Sequence, residues 1–157
     1  MIIFDCYNYT MTIMKTSERI DVLIGYFSDH LPVQTIDDLK IKSGFQHRTL
    51  QRIIKSSSLI TSYNQNARFY TLPGLCQFNP DGIWNFEQIL FSKYGNLFET
   101  ITALIDKSIA GYTVSEISLV LQVKANDALY VMWLKERVRR QKTGGGPCLL
   151  FHAGRLV

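Results

Sequence analysis

The stretch Thr35–Ser56, TIDDLKIKSGFQHRTLQRIIKS, contains the signals of two short helices joined by a turn. Thr35 can cap the first helix, and Asp38 completes a variant of the capping box with it. Gly44 marks the turn. The second helix is expected from about Gln46 to Ser56, because its apolar residues recur at helical spacing. Those apolar residues are Leu50, Ile53 and Ile54.

Further elements are predicted on either side of this stretch. Upstream, Ser17 can cap a helix that ends near residues 29–32 and has one apolar side. Downstream, residues 58–63 and 68–72 are rich in β-forming side chains and flank the turn-prone residues 64–66, which predicts a β-hairpin. The apolar side of the upstream helix consists of Ile20, Leu23, Ile24 and Phe27.

The same order of elements recurs in the second half of the chain. A shift of 78 residues, without a gap, places Thr35–Leu39 on Thr113–Ile117 and matches apolar positions over about forty residues. Glu116 completes a capping box with Thr113. Helices are therefore expected at 97–108 and 126–136, and a second hairpin at 137–142 and 148–151. The inward side of the last helix is expected to consist of Leu129, Val131, Met132 and Leu134. Trp133 is either a core residue, which we favour, or an anchor for a partner.

A length of 157 residues fits one ordinary domain or two very small ones, and the repeat favours two. We divide the chain into an N-terminal extension at 1–14, a first module at 15–75, an ordered apolar connector at 76–94 and a second module at 95–157. The connector contains the turn signal Asn79–Gly82 between residues too apolar to be left in water. Three interpretations of the extension stay open: an added strand, a dimer contact, or a segment upstream of the native start.

The charge is mildly positive and is shared between the two modules. Lys and Arg number 17 and Asp and Glu 13, which gives a net charge of +4, and each module carries +3. Such a surplus permits nucleic acid or an anionic surface as a partner without requiring either. No apolar run approaches the roughly 18 residues of a membrane span, and residues 1–9 contain no basic leader. The sequence therefore predicts a cytoplasmic protein with no membrane partner.

Sequence patterns for catalysis and metal binding are absent. Cys6, Cys76 and Cys148 are about 70 residues apart, which fits neither a disulfide framework nor zinc ligation. The three histidines have no metal-ligand spacing, and no nucleophile motif or phosphate-binding loop occurs. The sequence therefore predicts no metal, no cofactor and no enzymatic activity.

This order of elements resembles tandem winged helix-turn-helix proteins of the transcription-regulator type. The residues that carry the resemblance are TIDDL at Thr35–Leu39, RTLQR at Arg48–Arg52, the pair Leu59–Ile60 and RFYTL at Arg68–Leu72. The second half matches in pattern only, and its third helix is less basic than the family usually has. The resemblance implies a mainly α fold with small β-hairpins, of the α+β class, with two tandem winged helix-turn-helix modules that bind DNA.

The helix expected at 46–56 has the composition of a DNA-reading helix. A helix fits the major groove of B-DNA, and it needs an apolar face for its own core and a face of basic or amide side chains for bases and phosphates. No acidic residue occurs between Lys40 and Ile60. The candidate DNA-binding residues of this helix are Gln46, His47, Arg48, Gln51, Arg52 and Lys55, with Ser43, Thr49, Ser56 and Ser57 available for phosphates.

Further candidate residues lie outside this helix. At the turn of the first hairpin, Asn66 and Arg68 can reach the minor groove or its phosphates. In the second module, Asp127 and Glu136 interrupt the positive face, so we interpret this module either as a weaker phosphate-binding half or as a dimerisation surface. A homodimer is therefore left open. The candidates of the second module are Lys124, Asn126, Arg139 and Lys142.

The sequence thus favours a double-stranded DNA-binding protein, most simply a transcriptional regulator. Two alternatives stay open. The first is a winged-helix module that binds protein. The second is a DNA-binding accessory factor of a mobile element, replication or defence system.

Overall fold

The structure is a computed structural model, and it describes residues 14–28, 30–142 and 148–153. The chain divides into two units. The first unit takes the chain up to Ile60 and then Arg68–Cys76, and the second takes Thr61–Ala67 and the chain from Gln77 onward. Apart from Met14, the predicted extension at 1–14 lies outside the described residues.

The first half of the described chain contains three helices and a three-stranded sheet. In chain order the elements are α1 (Thr16–Ile24), β1 (Val33–Thr35), α2 (Ile36–Ser43), α3 (His47–Ser56), β2 (Ile60–Thr61) and β3 (Phe69–Thr71). Strand β3 is central, in the order β1–β3–β2, and it runs antiparallel to β1. Strand β1 is too short to give a periodic signal, and the sequence did not predict it. The buried core of the first unit consists of Leu23, Phe27, Leu39, Phe45, Leu50 and Ile53.

Helix α1 differs from its prediction at both ends. It begins at Thr16, two residues earlier than a Ser17 cap would place it. The reason is that the carboxylate of Glu18 accepts a hydrogen bond from the Lys15 backbone N–H at 2.9 Å, which stabilises an earlier start. It ends at Ile24, although Phe27 just beyond it is still buried in the core.

Capping boxes begin the second helix of each half, as the sequence predicted. Thr35 Oγ1 accepts a hydrogen bond from Asp38 N at 3.1 Å, and Asp38 Oδ2 accepts one from Thr35 N at 2.9 Å. In the second half, Thr113 Oγ1 accepts from Glu116 N at 3.1 Å, and Glu116 Oε2 accepts from Thr113 N at 2.7 Å. Each box therefore satisfies two backbone donors that a helix start leaves unpaired.

The second unit contains two hairpins and three helices in its described residues. The predicted connector forms the first hairpin, whose turn residues Glu87 and Gln88 have φ of 48° and 68°, as a tight primed turn requires. Tyr112 forms an antiparallel bridge with Leu150 of the last strand, much as β1 pairs with β3. The elements are β4 (Ile83–Phe86), β5 (Ile89–Ser92), α4 (Leu97–Lys107), α5 (Val114–Leu121), α6 (Asn126–Leu134), β6 (Val138–Lys142) and β7 (Cys148–His152). The buried core consists of Ile83, Ile101, Leu104, Ile105, Ile117, Leu121, Ala125, Leu129, Met132, Val138 and Leu150.

The sequence assigned residues 61–67 to the hairpin predicted at 58–72. In the structure these residues belong to the second unit. The Tyr63 hydroxyl donates a hydrogen bond to Leu121 O at 2.7 Å, and burial raises the pKa of Tyr63. The Asn64 side chain accepts from Leu90 N at 2.9 Å and donates to Gln88 O at 2.8 Å. This segment is therefore held by specific hydrogen bonds rather than left as a free hairpin tip.

The gap-free repeat that we expected is wrong in the third helix of each half. The second helices begin at Ile36 and Val114, 78 residues apart, but α3 and α6 begin at His47 and Asn126, 79 residues apart. The turn before α6 is therefore one residue longer than the turn before α3. With the offset of 79, the buried pair of α3 matches the buried pair of α6, Leu50 with Leu129 and Ile53 with Met132.

The structure corrects the predicted core of α6 at three positions. Leu134 is 58% exposed and Trp133 44% exposed, so neither is a core residue, and Val131 is half-buried. Because successive helical residues are rotated by about 100°, Leu134 lies on the side opposite Leu129 and Met132, whereas Trp133 lies at the edge of their side.

The predicted α+β class is confirmed, since the described chain has six α-helices and small antiparallel sheets. None of the described helices is both long and apolar enough to cross a membrane. Within the described residues, no three or more His, Cys, Asp or Glu side chains are grouped so that they could hold a metal ion.

Candidate nucleic-acid interface

The outer face of α3 groups four of the predicted DNA-binding side chains. Arg48, Gln51, Arg52 and Lys55 lie at positions i, i+3, i+4 and i+7, which share one side of a helix, and all four are exposed. The opposite side carries the buried Leu50 and Ile53, which fix the helix against the first core. The structure therefore presents these polar side chains together on a helix whose orientation is set by packing.

The turn before α3 is also fixed by buried contacts. Phe45 is 6% exposed and packs in the core. Ser43 is buried, and its hydroxyl donates to Leu39 O at 2.6 Å and accepts from Phe45 N at 3.2 Å. Ser43 is thus occupied inside the protein, and its predicted availability for phosphate is wrong.

The first residues of α3 leave its N-terminal backbone donors accessible. Gln46 is the N-cap residue but makes no capping hydrogen bond with its side chain, and both Gln46 and His47 are exposed. Free N–H groups and the helix dipole make such a terminus favourable for an anion. At the other end, the Ser56 hydroxyl donates to Arg52 O at 3.1 Å, and the Ser57 hydroxyl donates to Ile54 O at 2.8 Å.

The face of α3 is positive and carries no compensating carboxylate. The sequence has no Asp or Glu from Leu39 to Pro80. In the part of the chain that the structure describes, the ion pair found joins Arg137 and Glu99 at 3.4 Å, in the second unit. Arg48, Arg52 and Lys55 form no ion pair with a described residue, so their charges are directed toward solvent.

Asn66 and Arg68, the candidate DNA-binding residues of the hairpin predicted at 58–72, lie in different units. Arg68 is exposed and immediately precedes β3 in the first unit. Asn66 is also exposed, with a left-handed φ of 56°, but it belongs to the segment Thr61–Ala67 of the second unit. The structure therefore groups Arg68, but not Asn66, with the unit that contains α3.

The candidates of the second module are exposed but do not form one patch. Lys124 and Asn126 lie at the start of α6, beside an open groove of about 1000 Å³ that Asp127 also lines. Arg139 and Lys142 are three positions apart on β6, so they face opposite sides of the hairpin. Interruption of the positive charge by Asp127 was expected, and the alternation of the β6 cations follows from the strand that the sequence predicted at 137–142.

Sequence reasoning favoured the core for Trp133 over an anchor for a partner, and so did not predict the aromatic surface on the outer face of α6. Tyr130 is 52% exposed, and its ring centroid lies 6.0 Å from that of Trp133. The guanidinium carbon of Arg140 lies 5.3 Å from the centre of the Trp133 ring. Either offset aligns Tyr130 with an exposed residue of α3, which is Arg52 at 78 and Gln51 at 79, so the repeat itself marks Tyr130 as outward-facing.

No protein-family model matches the chain, and no curated protein matches it either. The outer faces of α3 and α6 are therefore the features from which a function is inferred.

Proposed function

We propose that the protein binds double-stranded DNA, with α3 of a winged helix-turn-helix module in the major groove. The observation that carries the proposal is the outer face of α3, on which Arg48, Gln51, Arg52 and Lys55 are exposed together and form no ion pair with any carboxylate among the described residues. Arginine can form bidentate hydrogen bonds with guanine O6 and N7, and glutamine with adenine N6 and N7. The same face can therefore hold phosphates and read base edges.

The topology of each half supports a winged helix-turn-helix assignment. In the first half, a capped α2 and the tight turn at Gly44 lead into α3, and β2 and β3 follow. The left-handed φ of 68° at Gly44 suits glycine, since it has no β-carbon to clash there. The second half repeats helix, backbone bridge, helix, helix and hairpin. Two such modules in one chain support the proposed tandem arrangement.

We assign the DNA-reading role to the first unit and place the protein in the cytoplasm, most simply as a transcriptional regulator. The second unit contributes fewer cations on its third helix, where Asp127 occupies the position that aligns with Arg48. A carboxylate so near the start of a helix would repel DNA phosphates. Direct readout is therefore proposed for α3 rather than for α6.

Fluorescence anisotropy with a labelled duplex of mixed sequence, measured over a salt series, tests this proposal. We expect an affinity that falls steeply as salt rises, because bound cations release counterions from the duplex. The double variant Arg48→Ala/Arg52→Ala should bind at least about tenfold more weakly. It should also have a log–log salt slope smaller by about 2, since each lost phosphate contact removes about 0.9.

The matched control is Lys93→Ala/Lys107→Ala, which removes the same charge outside α3. Both ammonium groups lie 5.2 Å from the centre of the half-buried Tyr94 ring in the second unit. The control should keep most of the duplex affinity. Equal losses in both double variants would mean that total charge, and not the α3 face, governs binding. Absence of salt-dependent binding in the wild-type protein would refute the proposal.

The number of chains per duplex is a separate part of the proposal. Light scattering on the protein alone and on the complex, at the concentrations of the anisotropy experiment, distinguishes one chain from a homodimer. A twofold-symmetric pair would place two α3 helices on repeated half-sites of the duplex.

A further inference from the structure

The outer surface of α6 presents aromatic rings to solvent. Tyr130 and Trp133 are 52% and 44% exposed, with ring centroids 6.0 Å apart and planes inclined by 37°. Leu134 beside them is 58% exposed. Large aromatic and aliphatic side chains that are exposed together are typical of binding surfaces rather than of inert surface. The buried Leu129 and Met132 already fill the core side of this helix, so the outer rings are not needed for packing.

Cations surround this aromatic pair. The Arg140 guanidinium carbon lies 5.3 Å from the centre of the Trp133 ring. Arg139 and Arg140 line, together with Trp133, an open cleft of about 580 Å³. Glu136 also lines this cleft, but neither arginine forms an ion pair with a described residue. The cleft thus combines an indole ring with two arginines whose positive charges are not neutralised by an ion pair with a described residue.

The exposed rings and arginines of this cleft favour one class of ligand over the others. A second copy of the same surface would bring its arginines against those of the first, so like charges oppose self-association. Duplex DNA offers phosphates but keeps the faces of its bases stacked inside, where Trp133 and Tyr130 cannot reach them. A single strand offers both phosphates for arginine and free base faces for aromatic rings.

We propose that this surface of the second unit binds single-stranded nucleic acid. An unpaired base stacks on Trp133, the next base contacts Tyr130, and the adjoining phosphate pairs with Arg140. The cleft volume lies within the roughly 300–1,000 Å³ of typical ligand sites. This activity is independent of the proposed duplex reading by α3, because different residues of a different unit carry it.

Titration with labelled oligothymidylate, followed by anisotropy and by intrinsic tryptophan fluorescence, tests the proposal. The chain has two tryptophans, and Trp84 is only 9% exposed. Quenching on binding should therefore come from Trp133. Trp133→Ala should weaken binding by about tenfold or more, since one base–aromatic stack is lost. Trp133→Phe should keep most of the affinity and lose the quenching.

Two further variants separate stacking from charge and from general surface change. Arg140→Ala should lower the salt slope for the single strand by about 0.7, the value for one lost phosphate contact. Leu119→Ala is the matched control, because Leu119 is an apolar side chain on α5 that is 80% exposed and outside the cleft. This control should bind like the wild-type protein.

The proposal is overturned if oligothymidylate does not bind, or if Trp133→Ala binds it as tightly as the wild-type protein. It is also overturned if Trp133 is quenched instead by a peptide of alternating glutamate and phenylalanine, or by concentration-dependent self-association in light scattering. The Arg48→Ala/Arg52→Ala variant separates this proposal from the duplex proposal. It should lose duplex affinity and retain the Trp133 quenching, whereas Trp133→Ala should show the opposite pattern.

Discussion

Helices α3 and α6 occupy equivalent positions in the two halves but have opposite outer chemistry. Their buried sides match closely, since both pack two aliphatic or thioether side chains into their own cores. Their outer sides differ at every aligned position. With the offset of 79, the pairs are Arg48 with Asp127, Gln51 with Tyr130, Arg52 with Val131 and Lys55 with Leu134.

Packing of the buried side chains therefore specifies the fold of each half, whereas the outer side chains specify what each half can bind. A helix with four basic or amide side chains suits the major groove. A helix with an acidic, two aliphatic and one aromatic side chain does not. The two helices therefore share their packing and differ in the chemistry that each presents to solvent.

The largest effect is expected from the matched buried leucines. Leu50→Ala and Leu129→Ala should each lower the free energy of unfolding by about 2–5 kcal/mol, because both leucines are almost fully buried and their loss leaves a cavity. Urea denaturation followed by far-ultraviolet circular dichroism measures this loss. Similar losses of stability in the two variants would support equivalent packing of α3 and α6 in their own cores.

Exposed aliphatic residues provide the controls for the leucines. Ile41 on α2 is 82% exposed and Leu119 on α5 is 80% exposed. Ile41→Ala and Leu119→Ala should change stability by no more than about 0.5 kcal/mol. A loss below about 1 kcal/mol for either buried leucine would contradict the matched cores.

A smaller effect is expected from the two capping threonines. Thr35→Ala and Thr113→Ala should each cost about 1 kcal/mol, since each hydroxyl accepts a backbone hydrogen bond at 3.1 Å from the third residue of its helix. Thr35→Ser and Thr113→Ser retain the oxygen and serve as controls in the same denaturation experiment. If the alanine variants were as stable as the serine variants, the capping boxes would have no energetic role.

The smallest expected effect is a loss of folding stability at acidic pH. Hydrogen bonds from the Thr35 hydroxyl and then its backbone N–H lower the pKa of Asp38, and those from the Thr113 backbone N–H and then its hydroxyl lower the pKa of Glu116. A carboxyl whose folded-state pKa is lowered stabilises the fold above its unfolded pKa. That stabilisation is lost as the pH falls through the folded value.

Stability measured from about pH 5 down to about pH 2 checks this linkage. The wild-type protein should lose more stability over this range than the double variant Asp38→Asn/Glu116→Gln, which has no titrating group at these positions. Both carboxylates are largely exposed, so solvent screening keeps the difference small. Parallel pH profiles would show that the two carboxylates contribute nothing through ionisation.

Local signals predicted the elements of the fold well. The capping boxes at Thr35 and Thr113 combine a side-chain acceptor with a carboxylate at a fixed spacing, and this chemistry is local to a few residues. Helix periodicity similarly predicted the buried Leu50 and Ile53. The exposed face of α3 follows directly from that periodicity, because the buried side determines the outer side.

Features that depend on distant contacts could not be predicted in this way. With the offset of 79, Trp133 aligns with the half-buried Ile54, yet Trp133 is 44% exposed although its size and hydrophobicity favour burial. The segment 61–67 resembles a hairpin turn locally, but the hydrogen bonds of Tyr63 and Asn64 in the second unit decide its position. Pairings across such sequence separations leave no periodic signal in either partner.

The most direct test of the central claim is to map the duplex on the protein by nuclear magnetic resonance. Backbone amide signals of the isotope-labelled chain are followed while unlabelled duplex DNA is added. If α3 binds the duplex, the largest shifts fall on Gln46–Ser56, with much smaller changes on Asn126–Leu134. Shifts concentrated on Asn126–Leu134, with Gln46–Ser56 unchanged, would contradict it.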